Sequence, residues 1–499
     1  MPRVPLLAGS RLLVVGAPDD AVVLRPPPPG EAVADVAAGV RDALRFPLSG
    51  PPLAELVAGA RRATVVVEPP ALPIPSAPRD PRQSAIAATV DELERLGISS
   101  GYQTILVAGG LARRAGQREL SSLVTPEFAR RFHGRVAVHD AEDPDLVEVP
   151  RPDGRVFRVH RALADTDAVV VVGAAETVLH GGPGTLLGAC DPDTLRAADA
   201  YSLLETAASG GWRLGVALER ALADRSPVVG VSLVLNHVRV SGALRGYPYE
   251  PEAVDRIAGS PLRFLFGAAP AGLRARIMRS IPLDLTAAGV FAGPPSVAHA
   301  EALLRGVELR TAELSGQLDA ICIGIPRTTP YLPRERPNPL LAAHLGLALA
   351  LRLWRDAFPV ADGGTAILAH RFIRHFSHPT QQPYRAFFQG IRSGRDPDAL
   401  EAAERAAAGD ERAIESYRAG RACHPRLPFA DWAACSPALG RLGAVLVAGC
   451  RDAVAARQLG FVPTHGIGAA LAMAHGRADR PARIGFLLSP PYFPVRVTP

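Results

Sequence analysis

The chain has 499 residues, 48% of them apolar and 21% charged, so it is globular and long enough to need two or more cores. Its net charge of +6 is carried by arginine alone, since no lysine stands among the 55 basic residues. That excludes Schiff-base and lysine-nucleophile chemistry, and the arginines are scattered rather than gathered into the basic stripe that a nucleic-acid backbone requires.

Five cysteines, Cys190, Cys322, Cys423, Cys435 and Cys450, include no CxxC pair. They read as reduced thiols of a cytoplasmic protein, not as a disulfide frame or a zinc knuckle. The first residues lack the charged and apolar regions of a secretory signal. The longest apolar run, 339–351, contains His344 and is too short to span a bilayer. A soluble, cytoplasmic chain without membrane or nucleic-acid partners is expected, and no oligomeric state is implied.

In chain order, 11–16 reads as a short strand and 25–30, with its four prolines, as a stiff linker. Residues 32–44 have helical spacing, and 51–61 read as a second short helix. The run TVVV at 64–67 is a buried strand, followed by a proline-rich extended loop, 68–75. Helix 82–96 and strands 103–108 and 135–139 continue the alternation of an α/β domain with a mostly parallel sheet.

The chain is organised around 168–188. Its run AVVVV at 168–172 reads as a strand buried on both faces, ended by Gly173. Gly181, Gly182 and Gly184 then form a loop whose backbone can approach a ligand closely, at the strand end where open α/β sheets bind small molecules. A tight turn without a ligand is the alternative. Beyond it, 191–208 reads as a helix, 228–236 as a strand, 298–305 and 312–316 as helical, and 280–312 as the hinge. Strands at 319–324, 365–369, 443–449 and 483–488, a helix at 340–357 and an exposed helix pair at 395–420 make a second α/β domain. The expectation is an α/β fold of two domains, 1–290 and 291–499, each with a mostly parallel sheet, and a ligand cleft between them.

Several side chains could carry chemistry. His180 in the glycine loop could act as a base, a metal ligand or a donor to a bound carboxylate; a buried, satisfied histidine is the alternative. Glu68 ends the 64–67 strand and could act as a base. Arg113 and Arg114 follow Gly109-Gly110 at a strand end and could bind substrate or be solvated. His370, His375 and His378 form the densest histidine cluster, and with His344 they could hold a metal; a solvated loop is the alternative. Arg371 and Arg374 in that cluster are shaped for an anion.

The order of these pieces resembles the lactate racemase-like family, which uses a nickel-pincer nucleotide. The resemblance covers nearly the whole chain. It is carried by the segments FPLSGPPLAEL (46–56), VHD (138–140), GRVFRV (154–159), ADTDAVVVVG (164–173), GGPGTLLG (181–188), Ala298-His299 and LDAICIGIP (318–326). It implies a racemase or epimerase of small 2-hydroxy acids, with a small carboxylate or hydroxy acid as partner. In the family a lysine holds the cofactor covalently, a histidine ligates nickel, and two more histidines serve as acid and base. Hydride leaves the substrate α-carbon for the cofactor and returns to either face.

This sequence departs from that pattern. The lysine position falls on Gly184. The acidic residue and arginine after the first functional strand become Glu68 and Ala71, so the carboxylate clamp is missing. The next histidine becomes Leu111, the nickel ligand falls on Asp199 or Ala200, and an acid/base histidine lands on Val178 or His180. His344 stands for the second domain's lysine. Without an amine no tether to the cofactor forms, and without imidazoles nickel loses a nitrogen donor that suits it. The cofactor is therefore expected to be absent or bound differently. Two functions are expected in competition: a diverged family enzyme on a small 2-hydroxy acid, and a catalytically silent relative that binds a small ligand or a partner subunit.

Overall fold

Uninterrupted runs of valine, isoleucine and alanine form the strands of both halves. The computed structural model describes residues 3–69, 80–116, 120, 123–326, 338–376, 378–478, 481–490 and 492–499. Twelve strands in two sheets carry the architecture: β1 (Val22–Leu24), β2 (Ala63–Val67), β3 (Gln103–Val107), β4 (Arg135–Val138), β5 (Ala168–Ala174), β6 (Val228–Leu235), β7 (Ala287–Gly293), β8 (Leu318–Gly324), β9 (Val360–Ala369), β10 (Ala444–Ala448), β11 (Val462–Thr464) and β12 (Ile484–Leu487). The first sheet runs β7-β6-β5-β2-β3-β4 and is parallel except where β7 meets β6. The second runs β11-β10-β9-β8-β12-β1 and is parallel throughout. Two α/β domains with mostly parallel sheets are therefore present.

All seven residues of β5 are buried, because helices cover both faces of a parallel sheet. The site-bearing helices are α1 (Pro81–Arg95), α2 (Pro183–Leu187), α3 (Gly210–Ala223), α4 (Pro295–Arg310) and α5 (Pro339–Ala343). Asp80 caps α1 by accepting from the Arg82 N–H, with Pro81 in the first turn. The two domains share one core, in which Ala175, Val178, Leu203 and Leu204 pack with Leu340, Leu345 and Trp354. Ion pairs line the same junction, Arg196–Glu404 and Arg426–Asp193 at 2.6 Å, with a hydrogen bond from His424 Nε2 to Glu142 at 2.9 Å. Each large buried apolar side chain contributes about 1.5–3 kcal/mol, whereas a partly exposed ion pair contributes about 1 kcal/mol or less. The apolar seam therefore does most to hold the domains together.

Several expectations are corrected. The division at residue 290 cuts through β7, which completes the first sheet. Residues 3–24 go with the second sheet: β1 pairs with β12, and the hairpin Arg3–Ala8/Arg11–Gly16 packs Val4, Leu6 and Val15 against Ala320, Cys322 and Ile367. The 280–312 segment holds β7 and α4 rather than a hinge. Residues 312–316 are a strand, Ala312–Ser315, because alternate side chains are buried and it pairs with the final strand Val495–Thr498. The helix read over 191–208 is only Pro192–Ala197, and α3 was not anticipated. The helix read over 340–357 is α5, a π-helical stretch His344–Leu349 and a 3-10 turn Ala350–Arg352, ending in the short strand Trp354–Arg355. The helix over 51–61 shrinks to Leu53–Leu56. Most of the proline-rich loop after Glu68, including Ala71, lies outside the described residues. Among the described residues no helix is long and apolar enough to cross a membrane.

Candidate functional site between the domains

Glu68 follows β2 directly, and the glycine loop follows β5, its neighbour in the sheet. Both therefore sit at the carboxyl end of the parallel strands. A Cβ built on Gly173 would lie 3.9 Å from Thr185 Oγ1, 3.9 Å from Gly181 Cα and 4.0 Å from Glu68 Oε1, so these three groups converge over the end of β5. Burial, and then the neighbouring Glu176, push the Glu68 carboxyl up to about 8; the Thr185 hydroxyl, the Gly181 amide and Arg82 act in the opposite sense. Glu68 thus keeps its proton at neutral pH and is a hydrogen-bond donor there.

Glu176 is buried, and its Oε1 accepts from Arg82 Nη1 at 3.0 Å. Arg82 is itself clamped by Asp80 at 2.6 Å. Arg310, buried near the end of α4, donates Nη2 to the Ala175 carbonyl at 3.3 Å and Nε to Gly306 at 3.0 Å. Its charge acts on Glu176 as well.

His180 is placed by a tight turn. The Leu179 and His180 N–H groups donate to Thr177 Oγ1 at 3.1 and 3.2 Å, which leaves the Thr177 hydroxyl to donate to His180 Nδ1 at 2.9 Å. On this network the neutral ring carries its proton on Nε2. Burial lowers its pKa to about 4, and the neighbouring His344, Arg352 and His299 add to the effect. His180 is therefore an uncharged N–H donor at neutral pH.

His344 comes from the second domain, at the start of the π-helical stretch. Its Nδ1 donates to the Asp431 carbonyl at 3.3 Å and lies 3.5 Å from Asp431 Oδ1, leaving Nε2 as an acceptor in the neutral ring. Tyr384 holds Asp431 by donating to Oδ2 at 2.6 Å. Arg352, almost fully buried, donates across the junction to the carbonyls of Ala200 and Tyr201. Burial lowers the Arg352 guanidinium to about 10.

The glycines make room for protein. A Cβ on Gly181 would lie 2.4 Å from His299 Cε1, one on Gly182 would lie 2.4 Å from His299 Cβ, and one on Gly184 would lie 2.3 Å from the Leu179 carbonyl oxygen. His299, from α4, donates Nε2–H to the Thr177 carbonyl at 2.9 Å, and its buried Nδ1 has no partner. Burial lowers its pKa to about 4. His299, Glu176, Arg82 and Arg310 were not anticipated. A signal existed for two of them: His299 and Arg310 are polar residues buried on the face of α4 that also buries Ala302, Leu303 and Val307.

The remaining candidates are dispersed. Arg113 donates to Gly420 O at 3.2 Å. Arg114 donates to carbonyls of His139, Val138 and Arg418 and lies 3.5 Å from Asp140, so both arginines join the first domain to the 411–420 region of the second. Arg374 pairs with Asp452 at 2.8 Å. His378 Nδ1 bonds the Thr380 hydroxyl at 2.8 Å at the start of a 3-10 turn. The metal site drawn from His344, His370, His375 and His378 is not assembled. His344 belongs to the interdomain cluster, the residues after β9 are not helical, and among the described residues no three histidine, cysteine or acidic side chains converge to hold a metal. A lysine-tethered nickel nucleotide does not fit the loop either, since Gly184 has no space for a side chain and the bare His299 nitrogen is sealed against Gly181.

Residues 9–182 match the family model described as lactate racemase N-terminal domain. The fold is similar to the structure of the lactate racemase apoprotein from Thermoanaerobacterium thermosaccharolyticum, with a TM-score of 0.62 at 15% identity, covering 99% of this chain and 100% of that one. It is also similar to a structural-genomics crystal structure of a protein from Thermotoga maritima, with a TM-score of 0.50 at 12% identity, covering 94% and 99%. No curated protein sequence matches the chain.

Proposed function

Because the chain is a lactate racemase-like protein by its N-terminal domain and its fold, we propose that it binds a small 2-hydroxy acid or related carboxylate between its domains without lysine-tethered hydride chemistry. One observation carries this reading. Glu68 and His180 are both uncharged donors at neutral pH, the first because its pKa is pushed up to about 8 and the second because it is lowered to about 4. Such donors recognise an oxyanion without adding a buried charge. No tether is available at Gly184 to deliver the family's hydride acceptor.

A second reading is favoured by His344. Its ring is oriented by the Nδ1 contact with the Asp431 carbonyl, and Glu68 holds a transferable proton. Together they supply a base and an acid for isomerisation of the bound acid. Calorimetric titration with glycolate and with D- and L-lactate, alongside chiral analysis of each after incubation, tests both. Binding that Glu68→Gln and His180→Phe weaken, with no change in chirality, supports the first reading. Racemisation lost in His344→Phe supports the second. Isolation of the protein with an organonickel nucleotide covalently attached in the glycine loop would overturn the proposal.

A further inference from the structure

A pocket lies at the carboxyl end of the other sheet. Its cavity is about 110 Å³, and its lining includes Ser10, Arg11, Arg274, His370, Arg371 and His375. Three parts of the chain meet there: the turn of the N-terminal hairpin, the helix Ala271–Arg279, and the segment after β9.

Several arginines of the chain pair with acids, as Arg374 does with Asp452. Among the described residues Arg11, Arg274 and Arg371 make no ion pair, and the charges acting on Arg371 are all arginines: Arg11, Arg451 and Arg274. Arg274 is nearly fully buried. Its Nη1 is fixed by the Gly267 and Ala269 carbonyls, and its buried Nε has no partner. His370, also buried, accepts the Phe372 N–H on Nδ1 at 3.2 Å, which leaves Nε2–H as a donor. Phe372 turns the chain at a positive φ of 40°, and the Arg371 carbonyl is anchored by the Arg451 N–H at 2.7 Å. Converging like charges in a partly dry site are costly unless an anion joins them.

We propose that this pocket binds a phosphoryl dianion, as free phosphate or as the phosphate end of a small ester, between Arg11, Arg274 and Arg371. Two negative charges on a tetrahedral set of oxygens match several guanidinium forks and a neutral N–H better than a single carboxylate does. The cavity has room for one such group with a few waters. The proposal stands whether or not the interdomain site binds hydroxy acids.

The test uses the full chain, with isothermal titration and thermal unfolding in inorganic phosphate, in glycerol 3-phosphate, and in chloride of matched ionic strength. Saturable binding of either phosphate is expected, together with a rise in Tm that chloride does not give. The tighter of the two ligands identifies the source of the phosphoryl group. Arg371→Gln should weaken binding roughly tenfold or more, the size of one charge-assisted hydrogen bond, and should raise the ligand-free Tm by removing a repelled charge. The exposed Arg11→Gln gives the same direction without touching the interior. Binding no stronger than chloride's, or unchanged in both variants, overturns the proposal.

Discussion

The raised proton affinity of Glu68 makes a stability measurement sensitive to the chemistry of the interdomain site. Its pKa moves from 4.5 in the ordinary carboxyl to about 8 in the folded chain. At about 1.4 kcal/mol per pKa unit, that difference corresponds to on the order of 5 kcal/mol, an upper figure because Glu68 is only partly buried. The folded state holds the proton more tightly than the unfolded one. The associated stability is therefore fully present below about 4.5 and is lost as pH rises through about 8. Glu68→Gln keeps the shape and cannot ionise. Relative to wild type, the variant should gain little at about pH 5, more at about pH 7, and most at about pH 9. Urea unfolding of both proteins at those pH values gives the difference directly, and other titrating groups cancel in it. A difference that stays constant from about pH 5 to about pH 9 would refute the claim that Glu68 is held protonated, and with it the neutral-donor argument.

The same poise predicts that affinity for a small 2-hydroxy acid is flat across neutral pH and falls as Glu68 ionises above about 8; calorimetry over a pH series checks this, and an unchanged affinity at alkaline pH rejects Glu68 as a donor. Gly184→Ala should destabilise by about 1–3 kcal/mol, because its Cβ would lie 2.3 Å from the Leu179 oxygen. Gly272→Ala, in a helix with open space around it, should stabilise by about 0.5–1 kcal/mol, and urea midpoints that rank the two the other way contradict the packing described. Arg82→Met leaves the buried Glu176 carboxylate without its 3.0 Å partner and should lower stability by about 3 kcal/mol in the same assay; a loss below about 1 kcal/mol would mean that Arg310 suffices.

The parallel strands were legible because burial on both faces writes itself as an unbroken apolar run, as in β5. Glu68 and His180 were legible because strand ends and glycine loops are local features. The errors came where packing overruled local pattern. Residues 312–315 contain Ala, Glu and Leu, good helix formers, yet they pair with a strand 183 residues further on, Ala312 opposite Val495. The 340–357 run has helical spacing throughout, yet it breaks into three kinds of turn. Gly346 packs there with no room for a Cβ, which would meet Leu368 Cδ2 at 2.5 Å. Glu176, His299 and Arg310 stayed hidden for the same reason, since His299 reaches a carbonyl 122 residues away.

The path of the glycine loop is set by what packs against it. Gly181 and Gly182 adopt φ values of 94° and 50°, which a side chain would strain, so the loop's path needs glycine whatever it binds. The space that glycine opens above them is filled by the His299 imidazole, and the space at Gly184 by the Leu179 carbonyl. A residue with a side chain at 184 would have to displace backbone, and one at 181 would have to expel a histidine wedged against Trp212 with ring centroids 5.8 Å apart. The loop therefore couples the end of β5 to α4. A lysine placed at 184 would meet the Leu179 backbone, which already occupies the room its side chain would need.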